Sequence, residues 1–165
     1  LIPEDRKNQG VLLGLSVRQN VTFSSLKQAM IGCFVSNRKD VAIATEYTEK
    51  LRIKTPSVNQ QVKNLSGGNQ QKVVLAKALA TKCDIIIFDE PTRGIDVGAK
   101  QEIYGLMRHL ADEEGKSIIM VSSEMPELIG MSDRILVMRH GGIVGEIQKE
   151  NYSQELILEY ASGLK

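Results

Sequence analysis

Ile85-Ile86-Ile87-Phe88 restricts the fold more than any other stretch, because four consecutive apolar residues between Asp84 and Asp89 are too few for a helix and leave no polar face for solvent. Such a run is expected of a strand covered on both faces, as in a parallel sheet, and parallel strands need a crossover between them. The crossover is legible downstream. Residues 97–111 place Ile103, Leu106, Met107 and Leu110 inward at helical spacing, and Ser117 to Val121 is expected to be a second fully buried strand. Upstream, 70–81 reads as a helix with Val74, Leu75, Ala78 and Leu79 on its inner face and Gln71, Lys72 and Lys77 outward. Helix, apolar strand, helix, apolar strand is the rhythm of an α/β sheet. The ending differs: 134–138 and 143–147 flank His140-Gly141-Gly142, which predicts a β-hairpin, and 153–160 predicts a short closing helix.

From Gly10 to Asn64 the pattern is helical and weakly apolar. Ser16 is a plausible N-cap, 39–53 places Val41, Ala44, Thr45, Thr48 and Leu51 at three-to-four spacing, and Thr55-Pro56-Ser57 breaks the run. The expected organisation is therefore a helical subdomain in 1–64 and an α/β part in 65–165. Lysine and arginine (21) nearly balance aspartate and glutamate (20), so no basic field favours nucleic acid or an anionic membrane surface, and phosphate recognition must be local. Cys33, Cys83, His109 and His140 are isolated, which argues against a disulfide or a His/Cys metal site. No apolar run approaches a membrane span, and 1–7 has no signal-peptide pattern. A start without Met is expected of a piece of a longer chain.

Two motifs carry chemistry. Leu65-Ser66-Gly67-Gly68-Asn69-Gln70-Gln71 opens a helix, whose first N–H groups and dipole attract an anion; Ser66 adds a hydroxyl and the glycines permit close backbone approach. The plainer alternative, a serine cap and a glycine turn, loses weight because an apolar strand ending in Asp89-Glu90 follows about twenty residues on. In open α/β sheets ligands bind beyond the carboxyl ends of strands, and successive residues point to opposite sides. Asp89 is expected to hold Mg²⁺ through water, and Glu90 to orient or polarise the attacking water. A loop of the form G-x-x-x-x-G-K-[ST], the usual phosphate cradle, is not in the sequence, which gives the chain the look of half a catalytic domain.

These residues resemble the ABC ATPases: a signature at 65–71, a Walker B strand at 85–89, a catalytic glutamate at Glu90 and a D-loop at Gly94-Ile95-Asp96. The strings Pro3 to Lys7, Asp89 to Lys100 and Ser122 to Leu128 resemble the second nucleotide-binding cassette of bacterial monosaccharide importers, of the ribose, galactose and xylose kind. The resemblance implies a partial RecA-like (P-loop NTPase) parallel sheet preceded by a helical subdomain. It also implies ATP and Mg²⁺ as cofactors and an ATPase at the cytoplasmic face of the bacterial membrane. Ser66, Gly67, Gly68 and Gln70 would contact, in trans, the ATP of a first cassette in the same polypeptide. Permease subunits would meet residues between Pro3 and about Phe34, and a sugar-binding protein would act indirectly.

Two positions depart from the family pattern. The Q-loop position carries Glu4 where glutamine is general, and Ser123 stands at the switch-histidine position, where it cannot act as an imidazole. A regulatory or scaffolding cassette is therefore the alternative; a nucleic-acid-linked ATPase is disfavoured by the neutral charge balance. Glu124 and Glu127 are expected at a solvated helix start. Met107, Met120 and Met138 are expected in packing positions, and Tyr104 and Tyr160 form no stacking platform.

Overall fold

In the computed structural model, which describes residues 1–164, the chain divides into two units: Leu1–Val121, and the residues from Ser122 onward. The first begins with helix α1 (Val17–Phe23), started by a capping box in which the Ser16 hydroxyl accepts from the Gln19 amide and the Gln19 side chain accepts from the Ser16 amide. Its inner face holds Asn20, satisfied there by exchanging bonds of 2.7 and 3.0 Å with the Leu12 backbone.

Helix α2 (Leu26–Ala29), strands β1 (Met30–Ile31) and β2 (Phe34–Val35) and helix α3 (Asn37–Lys50) follow. The segment expected to be helical thus also contains a small antiparallel hairpin, turned at Gly32 with φ 60°. The inner face of α3 is Asp40, Ala44 and Tyr47, whereas Val41, Thr45 and Thr48 are only half-buried. Tyr47 displaces the expected stripe because its ring is buried while its hydroxyl donates to the Leu79 carbonyl (3.1 Å); Asp40 is held by Arg18 at 3.4 Å.

Helix α4 (Gly67–Leu79) packs against α1 and α3 and is covered on nearly every side. Gln71 and Lys72, expected on a solvated face, are 4% and 7% exposed. Lys72 is accommodated inside because its Nζ donates to Glu102 Oε2 (2.7 Å) and to the Arg52 carbonyl (3.2 Å). Beyond it, β3 (Ile85–Asp89), α5 (Val97–Asp112) and β4 (Ser117–Val121) form the expected parallel unit, with Ile85 opposite Ser117 and Asp89 opposite Val121. Ile2 adds a parallel bridge on β3, donating to Ile87 O (2.7 Å) and accepting from Asp89 N (2.9 Å). The expectation that both faces of these strands are covered is overturned. Ile86 and Phe88 are buried, but Ile85, Ile87, Ile119 and Val121 are 60%, 37%, 51% and 51% exposed, so packing covers one side of the pleat.

The second unit contains α6 (Met125–Met131), the antiparallel hairpin β5 (Arg134–Arg139) and β6 (Gly142–Gln148), and α7 (Gln154–Ser162). Ile135, Val137, Ile147 and Ile157 form its core, and the Tyr160 ring lies so close to Gly145 that a Cβ there would be 2.7 Å away. Two expectations fail here. Glu127 is buried, held by the Ser122 hydroxyl that precedes the helix, and Met138 is largely exposed on the outer side of the hairpin. Met107 is buried as expected and Met120 is half-buried.

Candidate functional site

Ser66 is the N-cap of α4, in an extended conformation with its exposed hydroxyl accepting from Asn69 Nδ2 at 2.9 Å. Ser66, Gly68 and Asn69 line a cleft of ≈ 250 Å³ bordered also by Lys54, Asp96 and Glu102. The two glycines behind Ser66 do different things. A Cβ at Gly67 would meet the Arg6 guanidinium at 2.9 Å, and one at Gly68 would meet the Ala99 Cβ of α5 at 2.9 Å. The second glycine is therefore required by helix-to-helix contact. Gln70 does not reach the tip: it is buried, and its Nε2 turns back to donate to Val62 O (3.3 Å) and Leu65 O (3.2 Å). The expectation that it contacts a nucleotide across an interface does not fit this inward orientation.

Asp96 borders the same cleft, but its carboxylate is engaged as the N-cap of α5, accepting from Ala99 N at 2.9 Å. The Glu102 carboxyl, nearly two turns on from Asp96, is held below the usual carboxylate range by the hydrogen bond and charge of Lys72. That pair joins α4 to α5 beside the tip.

Asp89, half-buried at the carboxyl end of β3, falls on the same pleat side as Ile85 and Ile87, the side left open. Glu90 breaks the strand with φ 47°, a backbone conformation costly for a non-glycine residue and characteristic of sites that aim a side chain. Its amide donates to Val121 O (2.9 Å) and its carbonyl accepts from Arg93 N (3.1 Å), over buried Pro91 and Thr92. Among the described residues no cluster of three or more His, Cys, Asp or Glu can hold a metal by protein ligands alone. One open carboxylate fits Mg²⁺, which keeps most of its shell as water and phosphate oxygen. Neither Asp89, Glu90 nor Glu4 borders the Ser66 cleft.

Glu4 forms an ion pair with Arg93. Two residues on, the Arg6 guanidinium donates to Arg93 O (3.2 Å) and Gly94 O (3.3 Å) while resting on Gly67. Sequence reasoning missed Arg6 and Arg93, which bond across 87 to 89 positions of chain and have no local signal. Ala99 was findable: it follows Gly98 at the start of a helix, a pair of small residues that invites close packing. Ser123, exposed, lies in the second unit just before α6.

The model of the ABC transporter family matches residues 4–93, more than half of the chain. The chain belongs to the ABC transporter family. Its relatives in that family include the ribose import ATP-binding protein of Jannaschia sp. (strain CCS1), 50% identical over 99% of this chain and 31% of that protein. The xylose import ATP-binding protein of Moorella thermoacetica (strain ATCC 39073 / JCM 9320) is also 50% identical, over 100% of this chain and 32% of its own length. The chain spans about a third of the length of the curated relatives it matches. Among solved structures, a dimeric ATP-binding cassette in a post-hydrolysis state with ADP and Pi shares the ABC cassette fold at TM-score 0.72 and 24% identity, over 92% of this chain and 62% of that one. An inward-facing metal-chelate type ABC transporter shares it at TM-score 0.78 and 18% identity, over 91% of this chain and 59% of that one. Among the described residues no helix is long and apolar enough to cross a membrane.

Proposed function

We propose that, within the full-length protein, this ABC transporter chain supplies the signature tip and the metal- and water-directing carboxylates of an ATPase that drives monosaccharide import. The observation that carries the reading is the exposed Ser66-capped end of α4, opening onto a cleft beside the cap of α5. The first-turn amides, a hydroxyl and the positive end of a thirteen-residue helix suit a phosphate brought by another module. In this reading residues 1–64 form the helical subdomain and 65–165 the C-terminal half of a second cassette. Ser66, Gly67 and Gly68 face ATP on a first cassette of the same polypeptide, and permease subunits meet the helical segment at the cytoplasmic face of the membrane. A sugar-binding protein delivers the cargo; the ribose and xylose import relatives support a monosaccharide.

Asp89, on the open side of β3, would hold Mg²⁺ through water. The ion's part is to neutralise charge on the phosphates. Glu90, whose left-handed backbone ends the strand, holds a water there and accepts its proton as the water attacks the terminal phosphorus and the bond from that phosphorus to the departing ADP oxygen breaks. Ser123 at the switch position favours a second reading of this cassette's own site, as one that binds ATP without turning it over.

The test uses the full-length transporter. Ser66→Arg should place a bulky cation at the tip and cut sugar-stimulated phosphate release at least about a hundredfold, as expected when preorganised donors to a transferring phosphoryl group are lost. Near-normal release would overturn the reading in favour of a scaffold. Phosphate release by the 165-residue chain alone with Mg²⁺ and ATP should match a Glu90→Gln control.

A further inference from the structure

Arg6 sits where three segments meet. Its backbone is fixed by a wide helical turn, Arg6–Gly10, that Asp5 caps by accepting from Lys7 N and Asn8 N at 3.1 Å each. This turn is pressed on α4, for a Cβ at Gly10 would lie 2.8 Å from Val74. The side chain then leaves α4's flank in two directions at once. It lies on Gly67, where only glycine leaves room for Nη2, and its Nη atoms donate to the carbonyls of Arg93 and Gly94, in the turn that begins at Glu90. The neighbouring Glu4–Arg93 ion pair ties the same two segments a second time.

Electrostatics alone would not put a guanidinium there, because the N-terminal end of α4 is already positive. Its Nε is also buried without a hydrogen-bond partner, a further cost. What holds it is the pair of carbonyls, which the planar fork meets with two separate nitrogens at a fixed spacing that a single ammonium nitrogen does not reproduce. We propose that Arg6 is a positioning residue that couples the signature tip at Ser66-Gly67 to the 90–94 turn, so that a phosphate seated at the tip fixes the turn carrying Glu90. The inference rests on the proposed role of the tip. It assigns to one side chain the link between the half-site that faces a partner's nucleotide and the half-site that handles this cassette's own.

The experiment compares wild type, Arg6→Ala, Arg6→Lys and Ser66→Arg in the full-length transporter, reading steady-state ATP hydrolysis and amide hydrogen exchange of peptides covering 64–70 and 91–97. Arg6→Ala should lower kcat about tenfold with KM for ATP within about twofold, the pattern of lost positioning and not of lost ground-state binding. Exchange should quicken in both peptides together. Arg6→Lys keeps the charge and loses the fork, and should stay near the alanine variant; if alanine does not fold, the lysine variant carries the test. Wild-type kcat in Arg6→Ala, full rescue by lysine, or faster exchange in one peptide alone would overturn the coupling. Were Ser66→Arg inactive while Arg6→Ala hydrolysed normally, only the coupling would fall. Were Ser66→Arg active, the role of the tip would fall and the coupling with it.

Discussion

A methyl group at position 68 would lie 2.9 Å from the Ala99 methyl, inside any real carbon–carbon contact, so the second glycine of the signature is decided by its neighbour in α5. Gly68→Ala sets two effects against each other. Alanine gains up to about 1 kcal/mol of helix propensity, whereas forcing an extra carbon into a tight contact costs about 1–3 kcal/mol. The clash should win, with net destabilisation of about 1 kcal/mol seen as a lower unfolding temperature. Ala99→Gly in the same molecule should restore the loss by reopening the space, which a role for Gly68 in ligand approach alone would not predict. The cap at Ser66 could be read from the chain because it depends on residues three positions apart. The reason for Gly68, the inward turn of Gln70 and the reach of Arg6 could not, because each depends on segments brought together by folding.

Between α4 and α5 the Lys72–Glu102 pair is the polar contact that escaped the helical pattern. Lys72 sits on the side of α4 where periodicity places solvent, and its stem is buried because the chain around Arg52 and α5 closes over it. Hydrophobic spacing locates a helix and its richest face, but it does not report how many neighbours the helix has. The lowered Glu102 pKa sets a sign for pH. A carboxyl whose folded pKa is depressed contributes stability above its ordinary value of 4.5 and loses it as pH falls through the folded value. The protein should therefore lose stability on acidification below about pH 4.5 that Glu102→Gln, already without that contribution, does not lose. Half of the Glu102 side chain is exposed, so the difference between the two acid-unfolding curves should stay below about 1 kcal/mol. Curves that remain parallel through that range would show that the pair adds nothing.

At the scale of the whole molecule, the strands were legible as strands and illegible in their surroundings. Ser117–Val121 and Ile85–Asp89 pair in parallel, as unbroken apolar runs suggest, yet unbroken runs also announced a cover on both faces that the first unit supplies on one. Ile87 and Ile119 are register partners, and with Ile85 and Val121 they make an apolar sheet face open to solvent. The solved cassettes that share the fold continue beyond the matched region, since the chain covers 62% of one and 59% of another. Left open, that face has a cost when the chain is alone, because exposed β-branched strands drive association. The 165-residue chain should self-associate with increasing concentration in sedimentation velocity. Replacing Ile85 and Ile119 together by lysine should shift it to monomer with little loss of helical signal, since both side chains are more than half exposed. Ile86→Lys, on the packed side of the same strand, should instead unfold the first unit by burying an unpaired charge. Equal effects from the two kinds of substitution would mean that the open face is covered within the chain itself.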